Sequence, residues 1–434
     1  MTNSPLLRTH TLGCKVNQYE TELVRESLLQ HGYADAQMQQ PADLCIVNTC
    51  TVTAEGDAKS RQVVRRMARK NPDARIVVMG CYATRAPEEL RTLPGVAEVV
   101  TDKRELPDVL GRFGVIDLPT GISQFGSRHR AYVKVQDGCL LRCSYCIIPQ
   151  VRPHMASRPL EDIVDEARRL SANGYHEIVL TGIHLGHYGV DWNWNRPKSQ
   201  WTRLSTLVAR LAELPDPFRI RLSSIEATEV TRELLDVMAN YPHKVCPHLH
   251  ICLQSGSDRV LQRMNRRWGA KRFVDRCQMV RERLDDPAIT TDIIVGFPGE
   301  SDADFAATCD VAREVGFSKI HIFPFSARRG TPAAEFTDRL PAAEIAERGA
   351  RLTELEQQLR TDYFQRLTGR RLRVLVESAM REDAGQYTGT SCRYAPVQFP
   401  VDPNAQPGQI IDLHINDHAH DRVFGTMSHG CPQP

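Results

Sequence analysis

The sequence predicts an α/β chain in three parts: an N-terminal doubly wound parallel sheet, a central (β/α)6 partial TIM barrel and a small C-terminal antiparallel β-barrel. Three observations predict it. Short β-branched runs alternate with helix-period stretches in the first part, and six more such runs, most separated by helical patterns, fill the middle. The last stretch holds strand-like runs joined by Gly, Pro and Asp turns, with no helix between them. The parts are expected to span residues 5–118, 125–355 and 366–430, and 434 residues suit two to four domains.

In the first part, LCIVNTC (44–50) and ARIVVMGC (74–81) read as buried parallel strands, and LLRTHTLGC (6–14) as a weaker one. NQYETELVRESLLQHG and DAKSRQVVRRMARK have helical period. In the middle part the strand candidates are AYVKVQ, EIVLTG, RIRLSS, HLHICLQSG, TDIIVGFPG and KIHIFPFS, with GVDWNWNRPKSQW (189–201) as an inserted loop. In such a barrel, functional residues belong in the loops after the strands. A long helical pattern, PAAEIAERGARLTELEQQLRTDYFQRLTG, stops at Gly369. Beyond it, RLRVLVESA, QYTGTSCRYAPVQF and GQIIDLHI suit a small antiparallel barrel.

Composition narrows the class. Hydrophobic residues make up 41% and charged residues 25%, as in ordinary globular chains. No run of 18 or more apolar residues is present, so no membrane span is expected. The N-terminus MTNSPLLRTH does not read as a signal peptide, and a cytoplasmic location is expected. A net charge of +2 gives no global field for a polyanion, so any nucleic-acid contact must come from local patches. Thirteen cysteines in a chain this long point to metal ligation, catalysis or core packing rather than disulfides.

Three of these cysteines, Cys139, Cys143 and Cys146, form a C-x3-C-x2-C array in GCLLRCSYCIIP, just after a predicted strand. Thiolates are the ligands of iron–sulfur clusters. Three cysteines on four irons leave one iron open to chelate a small molecule. A structural zinc site is the competing reading. It would want a fourth Cys or His in a matching pair, and none follows; His154, nearby in RPHMASRP, has no partner.

Cys14, Cys50 and Cys81 end the three N-terminal strands, where sites form in open α/β sheets. A lone cysteine at a strand end is more often a small buried hydrophobe, as Cys45 inside LCIV is expected to be. Three at equivalent ends could converge.

The loop at 139–146 resembles the signature of radical S-adenosylmethionine enzymes, including the aromatic Tyr145 before the last cysteine. TGIHLG (181–186), SSIE (223–226), LQSGS (253–257), DIIVGFPGE (292–300) and FPFSARRGTPA (323–333) are similar to the methylthiotransferase branch, as are TLGCKVNQYE, VNTCTVT and VMGCYATR. The resemblance spans nearly the whole chain. It implies two 4Fe–4S clusters: a radical-generating one on Cys139, Cys143 and Cys146, and an auxiliary, sulfur-supplying one on Cys14, Cys50 and Cys81. It implies S-adenosyl-L-methionine as cofactor, with Tyr145 beside the adenine. Thr181, Gly182, Ser223, Glu226 and Gln254, at strand ends, are the other candidate contacts.

TLGCKVNQYE and NTCTVT are similar to the branch acting on threonylcarbamoyladenosine at position 37 of tRNA, next to the anticodon. The alternatives are isopentenyladenosine in tRNA or a ribosomal protein side chain. The expected partners are a tRNA anticodon stem-loop and a flavodoxin- or ferredoxin-like electron donor, and a monomer is expected. KSRQVVRRMARK (59–70), with Arg61, Arg65 and Arg69 on one helix face, RMNRRWGAKR (263–272) and Arg370, Arg371 and Arg373 are candidate phosphate contacts. A C-terminal domain like this family's TRAM-like RNA-binding barrel follows from the resemblance alone: from residue 368 onward there are six basic and seven acidic residues.

Overall fold

The computed structural model describes residues 4–126, 128–380, 385–403 and 405–427; residues 428–430, the end of the expected third part, lie outside them. The N-terminal sheet has five parallel strands. Leu6–Thr11, Leu44–Thr49 and Arg75–Gly80 lie side by side, flanked by two short strands, Ala34–Asp35 and Val96–Val99, that sequence pattern did not reveal. Alternation sorts the strand residues to the two faces. Leu44 and Ile46 pack with Val24 and Leu28 of the helix Lys15–Gln30. Cys45 and Val47 pack with Val63, Val64 and Met67 of the helix Ala54–Lys70. Cys45 is fully buried there. The Ala54–Lys70 helix is held at both ends: Thr53 accepts from the Gly56 amide, Glu55 and Asp57 occupy the first turn, and Arg69 and Lys70 the last.

All six central strands are present: Arg130–Asp137, Glu177–Gly182, Arg219–Leu222, His248–Ile251, Ala288–Val295 and Lys319–Pro324. They run parallel, three in each of two four-stranded sheets; the first sheet adds the two-residue strand Ala156–Ser157, antiparallel to Arg130–Asp137. The third strand is followed by Ser224–Ile225, which begins the second sheet, and Ile220 forms an isolated bridge to Val245, just before His248–Ile251. Outer helices bury one face each; in Leu160–Ala172 these residues are Ile163, Val164, Ala167 and Leu170, at helical spacing. The inserted loop 189–201 forms short turns of 3-10 helix at Val190–Trp192 and Lys198–Gln200.

The helix Ala342–Leu367 packs along Lys319–Pro324 and leads to a closed barrel of five strands. The fifth, Val423–Met427, has no counterpart among the runs noted above. The barrel docks on the central part through buried charge. Glu177, fully buried, accepts from Arg219 Nε at 2.7 Å and Arg221 Nε at 2.9 Å. Arg219 also donates to the Arg373 and Thr390 carbonyls, and Arg221 to those of Ser391 and Cys392. No helix among the described residues is long and apolar enough to cross a membrane.

Candidate active site: two cysteine triads joined by one segment

The strand Arg130–Asp137 ends at Gly138, whose φ is +76°. A Cβ there would lie 2.3 Å from the His154 carbonyl oxygen, so only glycine lets the chain turn into the cysteine loop. The loop is pinned from outside. The Ser144 amide donates to the Met264 carbonyl at 3.0 Å, Ser144 Oγ to that of Arg263, and Asn265 to that of Arg142. This gathers Cys139, Cys143 and Cys146 at one wall of a cavity of about 130 Å³. None is in a disulfide. Burial pushes the Cys143 thiol up and the Cys146 thiol to about 12, each raised further by its cysteine neighbours. Buried sulfurs of this kind ionise when a cation binds them, so the donor set fits an iron–sulfur cluster.

Two side chains flank the sulfurs. His184 Nδ1 lies 3.5 Å from Cys139 Sγ. Burial works against its charge, but contacts with Cys139 and Glu229 hold its pKa up at about 9. Arg266 Nη1 lies 3.5 Å from Cys143 Sγ, and the same guanidinium pairs with Glu226. Trp268 Nε1 also donates to Glu226, at 3.3 Å.

Of the strand-end candidates, Tyr145, Glu226 and Gln254 line this cavity. Gln254 does so with φ +70°, held by backbone bonds to Asp292 and Ile294; left-handed backbone at a non-glycine residue is characteristic of functional sites. Thr181, Gly182 and Ser223 do not line it. Thr181 is buried within its strand, and Gly182 lies against Gln136. The chain first reaches the cavity at Ile183 and His184. Ser223 lines a neighbouring cavity inside the barrel.

Cys14, Cys50 and Cys81 follow three adjacent strands and come together at their carboxyl ends. Burial raises the Cys50 thiol, and Cys81 and Cys14 are close enough to raise it further. Cys81 follows Gly80, where φ is +95° and a Cβ would lie 2.3 Å from Asn48 Oδ1. This donor set also fits a cluster on three thiolates.

The segment from Cys146 to Arg152 connects the triads. Ile147 and Val151 pack against Cys81. Arg152, 3% exposed, donates from Nε to Cys81 Sγ at 3.4 Å. Its other nitrogens reach Asn17 at 2.8 Å, Glu20 at 3.0 Å and Asp137 at 2.7 Å. Glu20 also binds Lys103 and Lys134, and these cations hold its carboxyl well below the usual range despite burial.

Several basic candidates have structural partners. Arg61 donates to Tyr82 and the exposed Lys59 pairs with Glu55; Arg65, Arg66, Arg69 and Lys70 are the other exposed cations of that helix. Arg263 pairs with Asp338, and Arg266 is enclosed at the first triad. Arg370 pairs with Asp285, and Arg373 donates to the His243 carbonyl, so both fasten the C-terminal barrel to the central part. A run of arginines does not reveal which of them fold inward.

Sequence comparison agrees with this layout. Residues 7–102 match the family described as "Uncharacterized protein family UPF0004", and residues 133–312 the Radical SAM superfamily. The chain is 40% identical to the threonylcarbamoyladenosine tRNA methylthiotransferase MtaB of Bacillus subtilis, over 90% of this chain and 89% of that one. It is 39% identical to the protein of that name from Chlamydia pneumoniae, over 96% of each. It is 33% identical to the tRNA-2-methylthio-N(6)-dimethylallyladenosine synthase of Mycolicibacterium paratuberculosis, over 97% of this chain and 86% of that one. Among solved structures, the radical S-adenosylmethionine methyltransferase TsrM of Kitasatospora setae shares the fold, with TM-score 0.55 and 14% identity over 76% of this chain and 77% of that one. With two cysteine triads on a radical SAM scaffold and relatives of this closeness over nearly its whole length, the chain belongs to the tRNA methylthiotransferase family of the radical SAM superfamily.

Proposed function

We propose that this enzyme converts N6-threonylcarbamoyladenosine at position 37 of tRNA to its 2-methylthio derivative, replacing the C2 hydrogen with a methylthio group. The observation that carries the reading is the pair of cysteine triads held together by the segment 146–152. The higher identity to threonylcarbamoyladenosine enzymes than to dimethylallyladenosine ones favours the substrate. Cys139, Cys143 and Cys146 would hold one 4Fe–4S cluster, and Cys14, Cys50 and Cys81 the other. When bound, the first supplies the electron that cleaves S-adenosylmethionine to methionine and a 5′-deoxyadenosyl radical, and the second supplies sulfur, which a further S-adenosylmethionine methylates.

The chain's own residues shape that chemistry. Tyr145, Glu226 and Gln254 line the space beside the first triad where S-adenosylmethionine would sit. Arg266 pairs with Glu226 in a partly closed site. Arg65, Arg66, Arg69 and Lys70 would meet phosphates of the anticodon stem-loop. A flavodoxin- or ferredoxin-like protein would deliver the electron, and the chain would act as a cytoplasmic monomer.

The test is mass spectrometry of tRNA nucleosides from cells with and without the gene. The methylthio-threonylcarbamoyladenosine peak is expected to vanish on deletion. An unchanged peak, with loss of a methylthio-isopentenyladenosine peak instead, would reassign the substrate.

A further inference from the structure

A second, polar cavity of about 200 Å³ lies inside the central barrel and shares Ser224 as a wall with the cavity beside Cys139, Cys143 and Cys146. Three neighbouring strands supply much of its lining: His248 and His250, then Thr290 and Asp292, then His321. Thr290 Oγ1 lies 3.0 Å from His250 Nδ1 and 3.3 Å from His248 Nε2. Asp292, the one carboxylate lining the cavity among the described residues, lies 3.3 Å from His250 Nε2.

Two of the lining cations already have carboxylate partners. Arg130 pairs with Glu177 and Glu377, and Arg221 with Glu177. Lys15 differs. It enters the cavity from the N-terminal part, next in sequence to Cys14, and is half-buried with no ion pair among the described residues. It lies close enough to His248 and His321 to help keep both imidazoles neutral, after burial, the main cause. His248 is 4% exposed, and its Nδ1 has no hydrogen-bond partner among the described residues. An uncompensated ammonium beside neutral imidazoles and a buried polar atom without a partner make a site for one negative charge.

We propose that Lys15, with His248 and His321 beside it, binds the carboxylate of the substrate's threonylcarbamoyl group. The proposal rests on the threonylcarbamoyladenosine reading above. The position suits it: the cavity adjoins the space beside the first triad, and Lys15 is the neighbour of a member of the second. A base placed between the triads would have its N6 substituent within reach of this pocket. The methionine carboxylate of S-adenosylmethionine is the other source of the same chemistry.

The test uses reconstituted holoenzyme and two anticodon stem-loop RNAs, one carrying threonylcarbamoyladenosine and one its methylamide, in which the carboxylate is neutral. RNA affinity is read by fluorescence anisotropy and S-adenosylmethionine affinity by equilibrium dialysis. The wild type is expected to prefer the carboxylate RNA by about 10- to 100-fold. Lys15→Met should erase that preference, Lys15→Arg should restore most of it, and S-adenosylmethionine affinity should stay constant. Equal weakening of both RNAs by Lys15→Met would overturn the proposal, and so would a loss confined to S-adenosylmethionine. Should Lys15→Met lose iron, His321→Leu reads the same preference from another strand; a several-fold drop supports the subsite and no change overturns it. A wild type that methylthiolates the carboxylate RNA yet binds both RNAs equally overturns the subsite alone. One that does not turn over the carboxylate RNA overturns the substrate reading beneath it.

Discussion

Arg152 Nε donates to Cys81 Sγ at 3.4 Å, so a side chain from the loop that follows the first cysteine triad ends on a sulfur of the second. The guanidinium is enclosed and tied to Glu20 and Asp137, which fixes its direction. Hydrogen bonds to ligand sulfur favour the more negative, reduced state of a cluster.

Arg152→Lys keeps a cation for Glu20 but loses the planar fork that reaches sulfur. The second cluster's reduction potential should fall by an amount on the order of tens of mV. Spectroelectrochemistry of holoenzyme checks this, with the potential of the first cluster as the internal reference. Equal shifts at both clusters would mean a general change in folding.

Arg266 lies between Glu226 and Cys143. Arg266→Met leaves the Glu226 carboxylate, among the described residues, with only the Trp268 donor, beside the space assigned to S-adenosylmethionine. S-adenosylmethionine affinity is expected to fall about tenfold or more, from the loss of a charged partner in a partly closed site. Equilibrium dialysis measures it, and iron content shows whether the cluster survives. Unchanged affinity would remove Arg266 and Glu226 from the cofactor site.

Glu177 is the buried counter-charge of Arg219 and Arg221 under the C-terminal barrel. Glu177→Gln leaves those arginines uncompensated, at a cost of about 3–5 kcal/mol. Hydrogen exchange in Arg371–Ala379 should then speed up far more than in the N-terminal sheet. Acid should lower the protection of the same strand, once exchange is corrected for its intrinsic pH dependence. The arginines hold the folded Glu177 carboxyl below its ordinary value. Its stabilisation is therefore fully present above the unfolded pKa of about 4.3 and is lost as pH falls through the lower folded value. Protection factors there, taken relative to the intrinsic exchange rate at each pH, that stay constant between pH 6 and pH 3 would contradict this.

Much of this architecture is legible in the sequence because its signals are local. Every central strand shows as a short run holding apolar residues, some of them β-branched, and both cysteine triads lie at strand ends where the residues can be counted. The two-residue strand Ala34–Asp35 was not legible, because pairing with Leu6–Thr11 defines it and its own pattern does not. Arg266 reads as a phosphate contact because RMNRRWGAKR shows charge without showing that one guanidinium turns inward toward Glu226. Thr181 and Gly182 share a motif with His184, but both belong to the strand, and this segment meets the cavity beyond it, at Ile183 and His184. Arg152 and Lys15 act across parts of the chain far apart in sequence, and no local pattern marks such contacts.

The division of labour between the triads is the central claim, and iron content read together with product analysis tests it most directly. A Cys14→Ala, Cys50→Ala, Cys81→Ala variant should hold half the iron of the wild type and still form 5′-deoxyadenosine, yet yield no methylthio nucleoside. Cys143→Ala should form no 5′-deoxyadenosine. A triple variant that keeps full iron or still makes the methylthio product would contradict the account.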